Sequence, residues 1–147
     1  MNVLDKPKTI FVLEHQNDHR LFIEKKLSKF FPDHRIHSES HQYHIFLTMA
    51  RERPDILVTD WNFQYESIIQ NDHVFARLLH FKGLVIIFTG QEVRDVKNQI
   101  IDKIKHIPEN FRIISKYAPN ELVKEIKSFE YRKAENFPYP ACDDSID

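Results

Sequence analysis

Several polar side chains in this sequence directly follow short apolar runs, and they are the residues that could do chemistry. Glu14 and His15 follow TIFVL, Asp60 follows ILVT, Thr89 follows LVIIF, and Ser115 and Lys116 follow FRII. A carboxylate, a hydroxyl and an ammonium group in one place suit the transfer of an anionic group. The carboxylate attacks phosphorus, a hard divalent cation bridges it to the incoming phosphoryl, and lysine balances the added charge. Each residue also has a plainer reading when taken alone. Asp60 can cap the turn after a strand, Thr89 can cap a helix, Lys116 can be a solvated strand end, and His15 can be a polar loop residue. The company of Thr89 and Lys116 is what lifts Asp60 above an ordinary cap.

A second group, His34, His37, His41 and His44, falls within eleven residues, a spacing open to zinc. A coarse reading spreads these histidines over a strand end, a turn and the start of a helix. They need not share a face, and solvated surface is the simpler account. Trp61, next to Asp60, either flanks the site or packs on its rim. The sequence has only two glycines, Gly83 and Gly90. Loops that cradle phosphate on repeated glycines are therefore excluded, and with them the P-loop and dinucleotide fingerprints.

The elements that must position these residues follow from the periodicity. Short apolar runs at Thr9–Leu13, Ile56–Thr59, Leu84–Phe88 and Phe111–Ile114, with a weaker one at Arg35–Ser38, suit buried parallel strands. Between them lie helical stripes. Leu21, Ile23, Leu27 and Phe30 follow a capping Asn17 or Asp18, and Ile45, Phe46 and Met49 run up to Pro54. Phe75, Leu78 and Leu79 run to a helix-ending Gly83. Val93, Val96, Ile100, Ile104 and Ile107 stop at Pro108, and Leu122, Ile126 and Phe129 follow Pro119 in a first turn. Strand then helix, five times over, predicts an α/β fold with a parallel sheet covered on both faces. Ligands of such sheets sit beyond the carboxyl ends of the strands, where all the residues named first should converge.

Composition sets the remaining bounds. A chain of 147 residues fits one domain, and its 41% hydrophobic and 29% charged residues are those of a soluble globular protein. The formal charge of -1 offers no basic field for nucleic acid. A single cysteine, Cys142, cannot form an internal disulfide. The N-terminal apolar run is too short for a signal peptide or a membrane span, so a cytoplasmic location is expected. From Tyr131 onward, YRKAENFPYPACDDSID is polar, proline-broken and without period. Residues 1–130 are thus expected to form the domain and residues 131–147 a disordered tail.

The sequence resembles the receiver domains of bacterial two-component response regulators over roughly Lys8 to Phe129. PDILVTDWN at Pro54–Asn62 is similar to the phosphoacceptor strand and its following turn, and IIFTG at Ile86–Gly90 to the strand bearing the family's hydroxyl. IISKYAPNELVKEIK at Ile113–Lys127 is similar to the fifth strand, its lysine and the last helix, and FVLEHQNDHRLF at Phe11–Phe22 to the first strand and its acidic cluster. The intervals from Glu14 to Asp60 and from Asp60 to Thr89 match the family's spacing, and that from Thr89 to Lys116 is several residues long. The resemblance implies a flavodoxin-like, doubly wound five-stranded sheet of order 2-1-3-4-5. It implies Asp60 as phosphoacceptor with Thr89 and Lys116, and magnesium held by Glu14, Asp60 and the Asn62 backbone. It implies a phosphoprotein of a phosphorelay rather than an enzyme, with at most slow autodephosphorylation. The expected partners are a histidine kinase or phosphotransfer protein and a downstream protein.

Departures from the family pattern point the other way. His15 stands where the family has a second acid that touches the metal, and it should weaken magnesium or favour a softer ion. The turn after Asp60 reads FQYES, Ile113 replaces a switch aromatic, and Tyr117 rather than proline follows Lys116, which makes a cis bond there improbable. Two functions compete. The first is a stand-alone receiver: with no output domain expected after Phe129, its product is expected to be a docking event or a phosphate passed onward. The second is a pseudo-receiver that binds proteins without phosphorylation. A flavodoxin-like enzyme or cofactor binder is set aside, because no glycine- or hydroxyl-rich phosphate loop follows the first strand.

Overall fold

Residues 8–136 are described by the computed structural model, with side chains over residues 8–130. Every predicted apolar run is a strand: β1 is Thr9–Leu13, β2 Arg35–Glu39, β3 Ile56–Thr59, β4 Leu84–Thr89 and β5 Phe111–Ser115. The helices between and after them are α1 Asn17–Phe30, α2 His44–Glu52, α3 Asp72–His80, α4 Val93–Ile104 and α5 Pro119–Asn136. A short 3-10 turn at Ile68–Gln70 precedes α3 and has no periodic signal in the sequence. All four strand pairings are parallel, and the sheet order is β2-β1-β3-β4-β5.

Because alternate strand residues point to opposite faces, the sheet has two cores. Phe11, Leu13, Leu57, Val85 and Ile87 meet Ile45, Phe75, Leu78, Val96 and Ile100 from α2, α3 and α4. Ile10, Val12, Ile56, Val58, Ile86 and Phe88 meet Ile23, Leu27, Leu122 and Ile126 from α1 and α5. Each fully buried aliphatic side chain contributes about 1.5–3 kcal/mol to this arrangement.

Several local expectations are corrected. Of the α1 stripe, Ile23 and Leu27 are buried, whereas Leu21 is 52% and Phe30 is 40% exposed. The helix is capped by neither Asn17 nor Asp18; Gln16 takes that position without a side-chain bond. Gly83 does not end α3, which stops at His80. It sits instead where a Cβ would lie 2.0 Å from the Asp55 carbonyl oxygen, so glycine is required by close approach of two backbones. α5 starts at Pro119 as read from the sequence, but runs to Asn136 and so passes the boundary expected at 130. The rest of the expected tail, residues 137–147, lies outside the described residues. No cis peptide bond occurs among the described residues.

Candidate phosphoacceptor site

Strand register brings the two acids together. Leu13 pairs with Thr59, so the next residues, Glu14 and Asp60, leave the sheet side by side. The Asp60 amide donates to the Leu13 carbonyl at 2.9 Å, and the Glu14 amide to the Glu39 carbonyl at 3.1 Å. On the far side Thr89 pairs with Ser115, and the Lys116 amide donates to the Thr89 carbonyl at 2.8 Å. The lysine side chain then crosses the strand ends. Its Nζ lies 2.8 Å from Glu14 Oε1 and 3.3 Å from Asp60 Oδ2.

Both carboxylates are buried, Glu14 at 1% and Asp60 at 5% exposure, so water does little to screen them. Burial and then the neighbouring Glu14 charge push the Asp60 carboxyl up to about 6. Lys116 and the Trp61 amide, which donates to Asp60 Oδ1 at 2.8 Å, pull the other way and only partly offset this. His15 Nδ1 completes the cluster, 3.1 Å from Asp60 Oδ2 and 3.6 Å from Glu14 Oε2.

Thr89 is wholly buried at the end of β4, and its Oγ1 accepts the Gln91 amide at 2.9 Å. It therefore holds the turn before α4 and does not cap that helix, whose N-cap position is Glu92. Asn62 is exposed, pairs with Ser67 in an isolated antiparallel bridge, and donates from its side chain to Gln91 Oε1 at 3.1 Å. Asp60, Asn62, Gly90, Gln91, Lys116 and His15 line one cleft of about 570 Å³ that also reaches Phe22 and Tyr117.

One contributor was not read from the sequence. His19 Nδ1 lies 4.0 Å from Glu14 Oε2 and 3.4 Å from Lys116 Nζ. His19 lies in the first turn of α1, which follows β1 closely enough to set that ring over the strand ends. Trp61 neither flanks the cleft nor packs on its rim. Its indole is fully buried and donates to Gln99 Oε1 on α4 at 2.7 Å, tying the turn after Asp60 to that helix.

Solved structures of the same shape are known. The receiver domain of the Francisella response regulator 1452 matches at a TM-score of 0.65 and 16% identity, over 86% of this chain and 98% of that one. The signal receiver domain of an HD domain-containing protein from Pseudomonas fluorescens matches at 0.64 and 13%, over 88% and 99%. This chain has the receiver fold. The N-terminal domain of an uncharacterized protein from Wolinella succinogenes matches as well, at 0.64 and 17% over 88% and 98%. No family model matches the chain, and no curated protein does.

The residues at these strand ends suit a divalent cation. Glu14, His15 and Asp60 each offer a ligand atom, and these atoms lie within 4.8 Å of one another. Burial and then the neighbouring Glu14 charge disfavour the ionised Asp60 carboxyl, and a bound cation would relieve both. The donor set is two oxygens and an imidazole nitrogen, which fits manganese or a softer ion better than an all-oxygen pocket would. No helix among the described residues is long and apolar enough to cross a membrane.

Proposed function

We propose that this chain is a signalling receiver in which Asp60 accepts a phosphoryl group from a histidine kinase or phosphotransfer protein. The observation that carries this reading is Lys116 Nζ placed between the Glu14 and Asp60 carboxylates at 2.8 and 3.3 Å. In the transfer an Asp60 oxygen bonds to phosphorus while the P–N bond to the donor histidine breaks. The electron pair leaves on the imidazole nitrogen, which takes a proton from solvent. The Trp61 amide fixes the carboxylate plane from one side, and Lys116 meets the charge that the phosphoryl adds, about −1.5 to −2 at neutral pH. Glu14, Asp60 and the Asn62 backbone would hold the divalent cation, magnesium or manganese, which screens the oxygens of the incoming group. The readout is a protein–protein contact with a downstream partner, and the domain has no turnover beyond slow autodephosphorylation.

A second reading rests on His15. Its ring nitrogen already contacts Asp60 at 3.1 Å, in the place of an oxygen ligand. A phosphorylation-independent protein-binding module would keep the fold and leave Asp60 in that contact.

Intact-mass analysis after incubation with acetyl phosphate or phosphoramidate and magnesium or manganese separates the two. The receiver reading expects one added phosphoryl mass, absent in Asp60→Asn because an amide is a poor nucleophile toward phosphorus. No adduct with either metal, and no response to beryllofluoride, would leave the binding module as the function.

A further inference from the structure

Helix α1 turns Ile23 and Leu27 into the sheet and leaves Phe30, its last residue, exposed. Three ammonium groups surround that ring. Lys26 Nζ lies 5.4 Å from its centroid, Lys29 Nζ 5.7 Å, and Lys127 Nζ, from α5, 5.4 Å. The two helices cover the same face of the sheet. Lys26 Nζ donates to Asn120 Oδ1 on α5 at 2.9 Å, and His34, just beyond α1, pairs with Glu130 on α5 at 2.7 Å.

Among the described residues no carboxylate answers this charge. The acids on the two helices are engaged elsewhere: Glu24 accepts from Ser38, Glu121 pairs with Lys124 at 3.6 Å, Glu125 with Arg112 at 3.1 Å and Glu130 with His34. Asp18 lies in the first turn of α1, at the other end from Phe30. Cation–π contacts at an exposed ring are weak, and like charges gathered around it repel one another.

From this unanswered charge we propose that the Phe30 face of α1 and α5 docks an acidic, amphipathic helical segment of a partner protein. Its carboxylates meet Lys26, Lys29 and Lys127, and its apolar side chains cover Phe30. The spacing fits the chemistry. Carboxylates three or four residues apart on a helix have Cβ atoms about 5–6 Å apart, which suits ammonium groups set around a single ring. An apolar residue between them takes the exposed ring out of water. The charge of the whole chain decides against other polyanions. A formal charge of -1 gives no long-range attraction to nucleic acid or an anionic membrane, whereas a short acidic segment needs only the local charge. The face is built without Asp60, so docking does not require phosphorylation.

The test titrates the full chain with a synthetic helical peptide carrying glutamates at helical spacing around leucine, against a scrambled peptide of the same composition, followed by NMR. The patterned peptide should bind more tightly and shift Lys26, Lys29, Phe30 and Lys127. The double variant Lys29→Glu with Lys127→Glu should weaken this binding at least about tenfold, by removing two attractions and adding two repulsions. Phe30→Ala should weaken it as well. Far-UV circular dichroism checks that the variants are folded, and the shift map of the unaltered chain decides the matter even if one is not. Equal binding of the two peptides, shifts confined to other faces, or unchanged affinity in the folded variants would overturn the proposal. So would preference of this face for phosphatidylserine vesicles or single-stranded DNA over the patterned peptide. Carbodiimide cross-links from these lysines to the chain's own carboxylates, or to a second copy, would give the face to this chain and overturn it too.

Discussion

Asp60 stands beside Glu14 at the buried ends of β1 and β3, and its carboxyl is raised from 3.8 to about 6. The folded chain therefore binds that proton more tightly than the unfolded chain does. The charged form costs stability fully above about pH 6, and the cost fades as pH falls toward 4. Asp60→Asn should raise the unfolding free energy by on the order of 1–3 kcal/mol at about pH 7.5 and by little at about pH 4. Urea denaturation of both proteins at the two pH values measures this. A loss of stability at the higher pH would mean that the contacts with Lys116 and His15 outweigh burial and repulsion. The same charge conflict that makes the site costly also makes it receptive to a cation.

At the scale of the elements, the two glycines show how differently one residue type can be constrained. At Gly83 an added Cβ would meet the Asp55 carbonyl oxygen at 2.0 Å and its carbon at 2.9 Å, atoms of backbone that cannot rotate away. At Gly90 the nearest atom is Lys116 Cδ at 4.0 Å. Gly83→Ala should cost about 1–3 kcal/mol by parting β4 from the loop before β3, while Gly90→Ala should fall within about 0.5 kcal/mol of the parent. Thermal unfolding followed by circular dichroism distinguishes them. Equal effects would mean that the loop at Asp55 yields freely. Helix ends tell a related story, since α2 and α4 close on Arg53 and Lys105 with φ of 45° and 74°, left-handed positions filled without glycine.

Across the whole molecule, a chain of contacts leads from the cleft to α4. The Trp61 indole bonds Gln99 on that helix, the Asn62 side chain bonds Gln91, and Thr89 holds the Gln91 amide. A phosphoryl on Asp60 would attract the Thr89 hydroxyl and so disturb the contact that holds the Gln91 amide. Under the receiver reading, hydrogen exchange should therefore change over residues 90–118 on phosphorylation or beryllofluoride treatment. Thr89→Ala should still take up phosphoryl mass but lose most of that change. A full exchange response in the variant would route the coupling through Trp61 and Gln99 instead.

Strand positions, helix periods and the order of the site residues were legible in the sequence, because strands buried on both faces must be continuously apolar and polar strand ends must face the rim. Pro119 marked the start of α5 for the same local reason, its fixed backbone angle. Distances between remote residues were not legible. That Glu14 abuts Asp60 depends on the pairing of Leu13 with Thr59, and register is a property of two strands rather than of either one. Leu21 and Phe30 fit the α1 stripe by spacing, yet face outward because the sheet beneath accommodates only Ile23 and Leu27. His37 and His44 look like solvated surface in one dimension, yet each pairs with Glu39 once the chain has folded. Local pattern fixes what each segment becomes. Which side chains meet is decided by the packing of segments far apart in the chain, and the chemistry of the candidate site lies there.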